Sequence, residues 1–440
     1  MTYRLPAQPD CMALTPGSRH RRFRHIRSEC IRKGDGRFRA GPLCWSEMAK
    51  ARISGAERRR RMVIRHHLHP DHPAASPTEA AERLVGLHSS DPATVFLSAR
   101  ARVPGITIAD VERELYDRPS LFRTLGMRGT LFAVPAGQVS LLLHGCALKL
   151  APAQRKRLVG YVEGQNLARD GEAWIRRVSD ATVKAIARRG EAAAMELRED
   201  VPELKLTLEF GKGRKWGGKV GVSTRVLFLL ACEGRIIRGR PRGSWISGQY
   251  RWTTPAGLIS GGIPDLDPSE ARAKILELWL RTYGPGTMAD LKWWSGWPLR
   301  DVRAALGSLE VSEVETDEGL AFILTDDLEP TPPSEPRAAL LPSLDSTVMG
   351  WRDRDWYLGD HAGPLYDRNG NAGPTVWWNG RVVGGWAQTG AGRVSYRLLE
   401  DVGGEGEADI ARTAAYLEDW MGQTRVTPRF RTPLERELSG

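Results

Sequence analysis

One order of elements recurs in this chain: amphipathic helices, then two short apolar strands meeting at a glycine. It appears first over residues 76–138. Ser76 precedes Pro77, and Glu79 stands three residues after the serine, the pattern of an N-cap with proline at the first helical position. Ala80, Leu84 and Leu87 fall on one face of the helix that follows. Further helix starts lie at Asp91-Pro92 and at Thr107, which opens TIADVERELYDRP. Residues 121–127 and 130–134 read as strands that meet at Arg128-Gly129. Helices followed by a hairpin is the order of a winged helix.

The order returns over residues 179–253. SDATVKAIARRG and EAAAMELREDVPELK read as helices, residues 222–234 as a third, and IIRGRPRGSWISGQYRW as two strands. It returns again over residues 267–324, where one helix ends at Gly284, Thr287 caps a second ending at Gly296, and WPLRDVRAALGSL takes the recognition-helix place. A hairpin then turns at Asp317-Glu318-Gly319. After the linker EPTPPSEPR, residues 338–402 carry short strands with NG turns.

The expected fold is therefore α+β, mainly helical: tandem winged-helix modules followed by a small antiparallel β domain. The expected segments are 1–47, a basic extension without apolar periodicity; 48–75, a basic helix and linker; 76–178, the first module with connecting helices; and 179–266, the second, with a basic wing. The third module covers 267–326, a Pro-rich linker 327–337, and the β domain with a closing helix and basic tail 338–440. Residues 1–47 read as a disordered arm or as sequence upstream of a start at Met48. MTYRLPAQPD lacks the apolar stretch of a secretory leader.

Charge is concentrated. Net charge is +11 over the 440 residues, yet residues 212–251 hold ten Lys/Arg against one Asp/Glu, while residues 252–440 hold 18 against 29. A compact basic block argues for a polyanion partner. Inside it runs Arg238-Gly239-Arg240-Pro241-Arg242. Glycine and proline keep that backbone slim, so the guanidinium groups can enter a narrow minor groove, as in an AT-hook. Lys212, Arg214, Lys215 and Lys219 are expected to add phosphate contacts, with Trp245 and Trp252 packed beneath the wing. Arg128 is a second candidate groove probe, and Arg58, Arg59, Arg60 and Arg61 read as a solvated face that could also touch phosphate. Double-stranded DNA is the expected partner.

Other classes find no support. The five cysteines form no CxxC pair, His66, His67, His69 and His72 read as a linker, and no metal site is expected. No apolar run reaches 18 residues, so no membrane span is expected. GxxxxGK[ST], GxGxxG after a strand and GxSxG are missing, so no nucleotide cofactor is expected. The expectation is a cytoplasmic monomer without cofactors.

One stretch can carry chemistry: His88-Ser89-Ser90-Asp91-Pro92. Asp91 before Pro92 fits a helix cap. A carboxylate or imidazole beside the sugar of an extruded nucleotide could also hold a water and stabilise positive charge on the deoxyribose. His88, Asp91 and Ser90 are the candidates.

LVGLHSSDP, MRGTLFAVP, GRIIRGRPRGSW, LLPSLDSTVMGWRDRDWYLG and VVGGWA together resemble winged-helix proteins related to the bacterial alkylpurine and interstrand-crosslink-repair DNA glycosylases, over about residues 48–438. The resemblance implies tandem winged helices around duplex DNA and hydrolysis of the N-glycosidic bond of alkylated or crosslinked purines. Such glycosylases carry Gln–apolar–Gln or Gln–apolar–Asp after the leucine of the first module, where this chain has His88-Ser89-Ser90. Two readings stay open: a glycosylase in which His88 and Asp91 orient water, and a non-catalytic DNA-binding protein acting as damage sensor or transcriptional regulator.

Overall fold

The computed structural model describes residues 50–440 apart from 212, 215 and 216. The expectations for residues 1–47 and for Lys212 and Lys215 lie outside the described residues. Helix starts fall where short polar side chains can satisfy the free N–H groups of a first turn. Ser54, Ser76, Asp91, Thr107, Asp267 and Thr287 each accept from a backbone N–H of the helix they precede. Thr287 and Asp290 form a reciprocal capping box, and Gly296 ends that helix, Met288–Ser295, in the left-handed conformation.

The stretch expected as a helix from Glu191 onward behaves differently. Gly190, at φ 74°, ends the helix Gly171–Arg189. The next three residues, Glu191–Ala193, become a strand paired with Tyr250–Thr253, and only Ala194–Asp200 is helical. Helix propensity of the alanines yields here to a sheet edge within reach.

The first two hairpins do not stand apart. They join in one six-stranded sheet, in the order Leu87–His88, Leu131–Pro135, Leu121–Leu125, Ile237–Pro241, Tyr250–Thr253, Glu191–Ala193. The join is the antiparallel pair Arg123 and Arg238. The third hairpin, Val311–Thr316 with Gly319–Leu324, adds the short strand Gly286–Thr287. Its acidic tip meets the first helix, Gly55–Arg65, and the chain before it: Glu318 pairs with Arg58, and Asp317 with Arg52 at 2.8 Å. The expected solvated face is therefore partly buried. Arg58 and Arg61 have side chains 2% exposed, and Arg61 also pairs with Glu57 at 2.8 Å.

The C-terminal sheet is four-stranded and antiparallel, in the order Ala338–Leu341, Thr375–Trp378, Arg381–Gln388, Val394–Leu398. The helix Gly403–Met421 packs on it, and the expected basic tail ends in a short helix, Pro433–Ser439. One apolar core runs from Met62 to Leu434 through Phe96, Trp279, Tyr283, Trp351 and Trp377; a second gathers residues between Leu125 and Trp252. Residues of the first hairpin region and of the C-terminal sheet thus share a core. No helix among the described residues is long and apolar enough to cross a membrane.

Candidate functional site

The turn at Val85-Gly86 delivers His88 to the edge of the six-stranded sheet, where it pairs with Phe132. The imidazole meets the Phe132 ring edge-on at 5.2 Å and is only 4% exposed. The backbone N–H of His88 donates to Ser346 Oγ at 3.2 Å, and that hydroxyl donates to the Gly86 carbonyl at 2.8 Å. A segment of the β domain therefore holds this turn. His88 Nδ1 accepts from the Ser90 N–H at 3.4 Å. That contact assigns the proton of the neutral ring to Nε2. Burial, helped by the Arg128 charge, lowers the His88 pKa to about 3, so the ring is neutral near pH 7.

Asp91 is 5% exposed and fully engaged by backbone. Oδ1 accepts from Ala93 N at 3.1 Å and Oδ2 from Arg429 N at 2.7 Å. Burial raises its pKa against those two hydrogen bonds. The carboxylate caps the helix Pro92–Arg100 and clamps the C-terminal chain to it. A cavity beside it, lined by Asp91, Thr94, Ser343, Gln388, Val426 and Pro428, measures about 10 Å³, room for about one water and none for a purine. Ser90 is half-buried; its hydroxyl accepts from Leu131 N at 3.4 Å and its carbonyl from Arg429 Nη1 at 3.3 Å.

Between them Ser89 is buried, and its Oγ accepts from Arg123 Nε at 2.9 Å. Arg123 begins an alternating stack of cations and rings. Its guanidinium lies 5.4 Å from the Tyr116 ring and 5.0 Å from Tyr250; Arg238 lies 4.8 Å from Tyr250 and 4.9 Å from Trp252; Arg240 lies 4.9 Å from Tyr116. Each desolvated contact of this kind contributes on the order of 1–2 kcal/mol. These contacts offset the like-charge pairing of Arg123 with Arg238, which would otherwise be unfavourable across a sheet. The stack connects the RGRPR strand to the His88 slot.

The other expected contact residues take distinct places. Arg240 and Arg242 are exposed, and Arg240 pairs with Asp117 at 2.7 Å. Arg214 and Lys219 are exposed on a separate hairpin, Thr207–Phe210 with Gly218–Gly221, where Lys219 pairs with Glu209 at 2.9 Å. Arg128 is half-buried, with its guanidinium 4.3 Å from the Trp293 ring of the helix Met288–Ser295. Trp245 and Trp252 are buried. The sequence reading missed Arg123, Tyr116 and Arg354. Arg123 sits mid-strand in LFRTL, where an arginine inside a short, fully buried strand pattern was the available signal. Among the described residues no group of three His, Cys, Asp or Glu side chains converges as a metal site would require.

The slot and its sheet fall within the part of the chain that matches known proteins. Residues 81–420 match the family described as DNA glycosylase AlkZ-like. The chain belongs to that family. The interstrand DNA cross-link repair glycosylase of Streptomyces sahachiroi is 27% identical over 341 residues, covering 71% of this chain and 82% of the relative. The solved Streptomyces sahachiroi DNA glycosylase AlkZ has a TM-score of 0.66 at 21% identity, over 85% of this chain and 98% of that one, a likeness of fold.

Proposed function

We propose that this chain is a DNA glycosylase that binds duplex DNA through its tandem winged-helix surface and hydrolyses the N-glycosidic bond of alkylated or crosslinked purines. Family membership over residues 81–420 is the observation that carries the reading. The relative named as an interstrand cross-link repair glycosylase supports the substrate class.

An N7-alkylated purine carries formal positive charge and leaves as a neutral base, so the protein's task is to hold a water and stabilise an oxocarbenium-like sugar. A neutral imidazole whose Nε2 bears the proton can donate to that water or to a sugar oxygen; with Nδ1 occupied by the Ser90 N–H it is a poor base. His88 is therefore the catalytic residue of the proposal. Ser90 sets its tautomer. Asp91 is a positioning residue that fixes the helix start and the crossing chain. The exposed Arg240 and Arg242, with Arg214 and Lys219, supply phosphate or groove contacts, and Lys212 and Lys215 join them in the same basic block. A duplex bearing one N7-methylguanine tests the reading. Free base and an alkali-labile site should appear. An intact strand across several alkyl adducts, with binding retained, would leave only a DNA-binding protein.

A further inference from the structure

We infer that Arg128 and Arg354, set against Trp293, form a notch for a DNA backbone phosphodiester beside the His88 slot. The inference rests on the DNA reading above and adds a binding site to it. Arg128 lies at the hairpin tip with φ 57°, a left-handed conformation that a long side chain rarely adopts. It is laid against the turn at Gly296, where a Cβ would stand 2.8 Å from Arg128 Cγ. Its guanidinium is 4.3 Å from the Trp293 ring, and that of Arg354 is 4.8 Å from the same ring. Arg354 is held in place by its Nε hydrogen bond to the Trp351 carbonyl at 2.8 Å and by the Tyr366 ring at 4.8 Å.

Neither cation is neutralised. Arg58, Arg61, Arg65 and Arg102, also buried or half-buried, each pair with a carboxylate. Among the described residues no carboxylate pairs with Arg128 or Arg354, and Arg128 Nε is buried without a partner. Burial, then the Arg354 charge, lowers the Arg128 pKa to about 10. Two uncompensated cations against one indole are unfavourable unless an anion joins them. A phosphodiester, with one charge and two terminal oxygens, suits a pair of guanidinium forks. Arg128 stands at the tip of the hairpin whose Phe132 pairs with His88 and whose Leu131 bonds Ser89 and Ser90, which puts the notch beside the slot. The phosphates that flank an extruded nucleotide are the ones this notch would take.

Duplex affinity measured over a salt series, for wild type, Arg128→Gln, Arg354→Gln, Arg354→Lys and the wing variant Arg242→Ala, tests the notch. Arg354→Gln and Arg128→Gln should each weaken binding several-fold and reduce the salt slope by about 1, while Arg354→Lys keeps the slope. Neutral methylphosphonates at the two phosphates flanking the target nucleotide should reproduce the loss in wild type and add nothing in Arg354→Gln. Unchanged affinity and slope in both glutamine variants, with Arg242→Ala weakened, would overturn the notch and leave the DNA reading standing. Competition by inorganic phosphate without any methylphosphonate effect would make it a free-phosphate site and overturn the DNA contact. Wild type that binds no duplex would overturn both.

Discussion

Arg102 and Asp345 face each other with neither side chain exposed, joined by Nη2 to Oδ1 at 2.7 Å and Nη1 to Oδ2 at 2.9 Å. Asp345 also accepts from Ser98 Oγ and Thr347 N, and Arg102 Nε donates to the His66 carbonyl at 3.0 Å. The pair ties the first helix, the helix that begins at Asp91, and the LLPSLDSTVMGW segment into one unit. Its neighbour Ser346 holds the His88 backbone, so this network fixes the slot from beneath.

Breaking that pair from one side leaves a charge without its partner in the core. Arg102→Met should cost about 3–5 kcal/mol in urea unfolding, and Arg102→Met with Asp345→Leu should cost less than either single change. Burial would push the Asp345 pKa up, but Arg102, Ser98 and Thr347 outweigh it and hold it below the ordinary carboxylate value. Its stabilisation is therefore complete above about pH 4 and is lost as pH falls through the lower folded value. Single variants within about 1 kcal/mol of wild type would contradict this.

Asp91 links the helix cap to the crossing chain, so its loss should be felt at both. Asp91→Ala should cost about 0.5–2 kcal/mol for the cap and open residues 424–432 to limited proteolysis. Asp91→Asn, which keeps an acceptor oxygen, should retain base release within about threefold, since the residue positions and does not react. A loss of release in Asp91→Asn at unchanged stability would assign the carboxylate a chemical role.

His88 should stay neutral across the working range. With a folded pKa of about 3, below the ordinary 6.5, its contribution to stability is intact above pH 6.5 and is lost as pH falls from there toward 3. Nitrogen-15 NMR at pH 6 should show a neutral ring with the proton on Nε2. Base release should carry no His88 inflection between pH 5 and 8, and an imidazolium signal at pH 6 would refute the assignment.

The wing cations differ in freedom. Arg240 is held by Asp117, so Asp117→Asn should release it and raise duplex affinity, while Arg242→Ala should weaken binding and lower the salt slope by about 1. Fluorescence anisotropy at several salt concentrations reads both. Equal affinities for the two variants and wild type would remove this wing from the interface.

The local grammar of this chain was legible. Capping residues at Ser76, Asp91, Thr107 and Thr287, and the turns at Arg128-Gly129 and Asp317-Glu318-Gly319, mark elements because the signal lies within a few residues. The merging of two hairpins through Arg123 and Arg238 was not legible, since registry between distant hairpins leaves no local trace. Arg58 and Arg61 read as solvated because their partners Glu318 and Asp327 lie some 260 residues away. A still longer separation, 338 residues, hid Arg429, whose backbone N–H reaches Asp91 from a tail that reads only as basic. Asp91 was read as a cap and as a reactive carboxylate; its occupied oxygens favour the cap.

The measurement closest to the central claim is single-turnover release of N7-methylguanine from a defined duplex by wild type, His88→Ala and His88→Gln. The neutral-donor account predicts release by wild type, a loss of about 10²-fold or more in His88→Ala, and partial recovery in His88→Gln, whose amide N–H can replace the Nε2–H donor. Release by His88→Ala at the wild-type rate, with duplex binding unchanged, would contradict it.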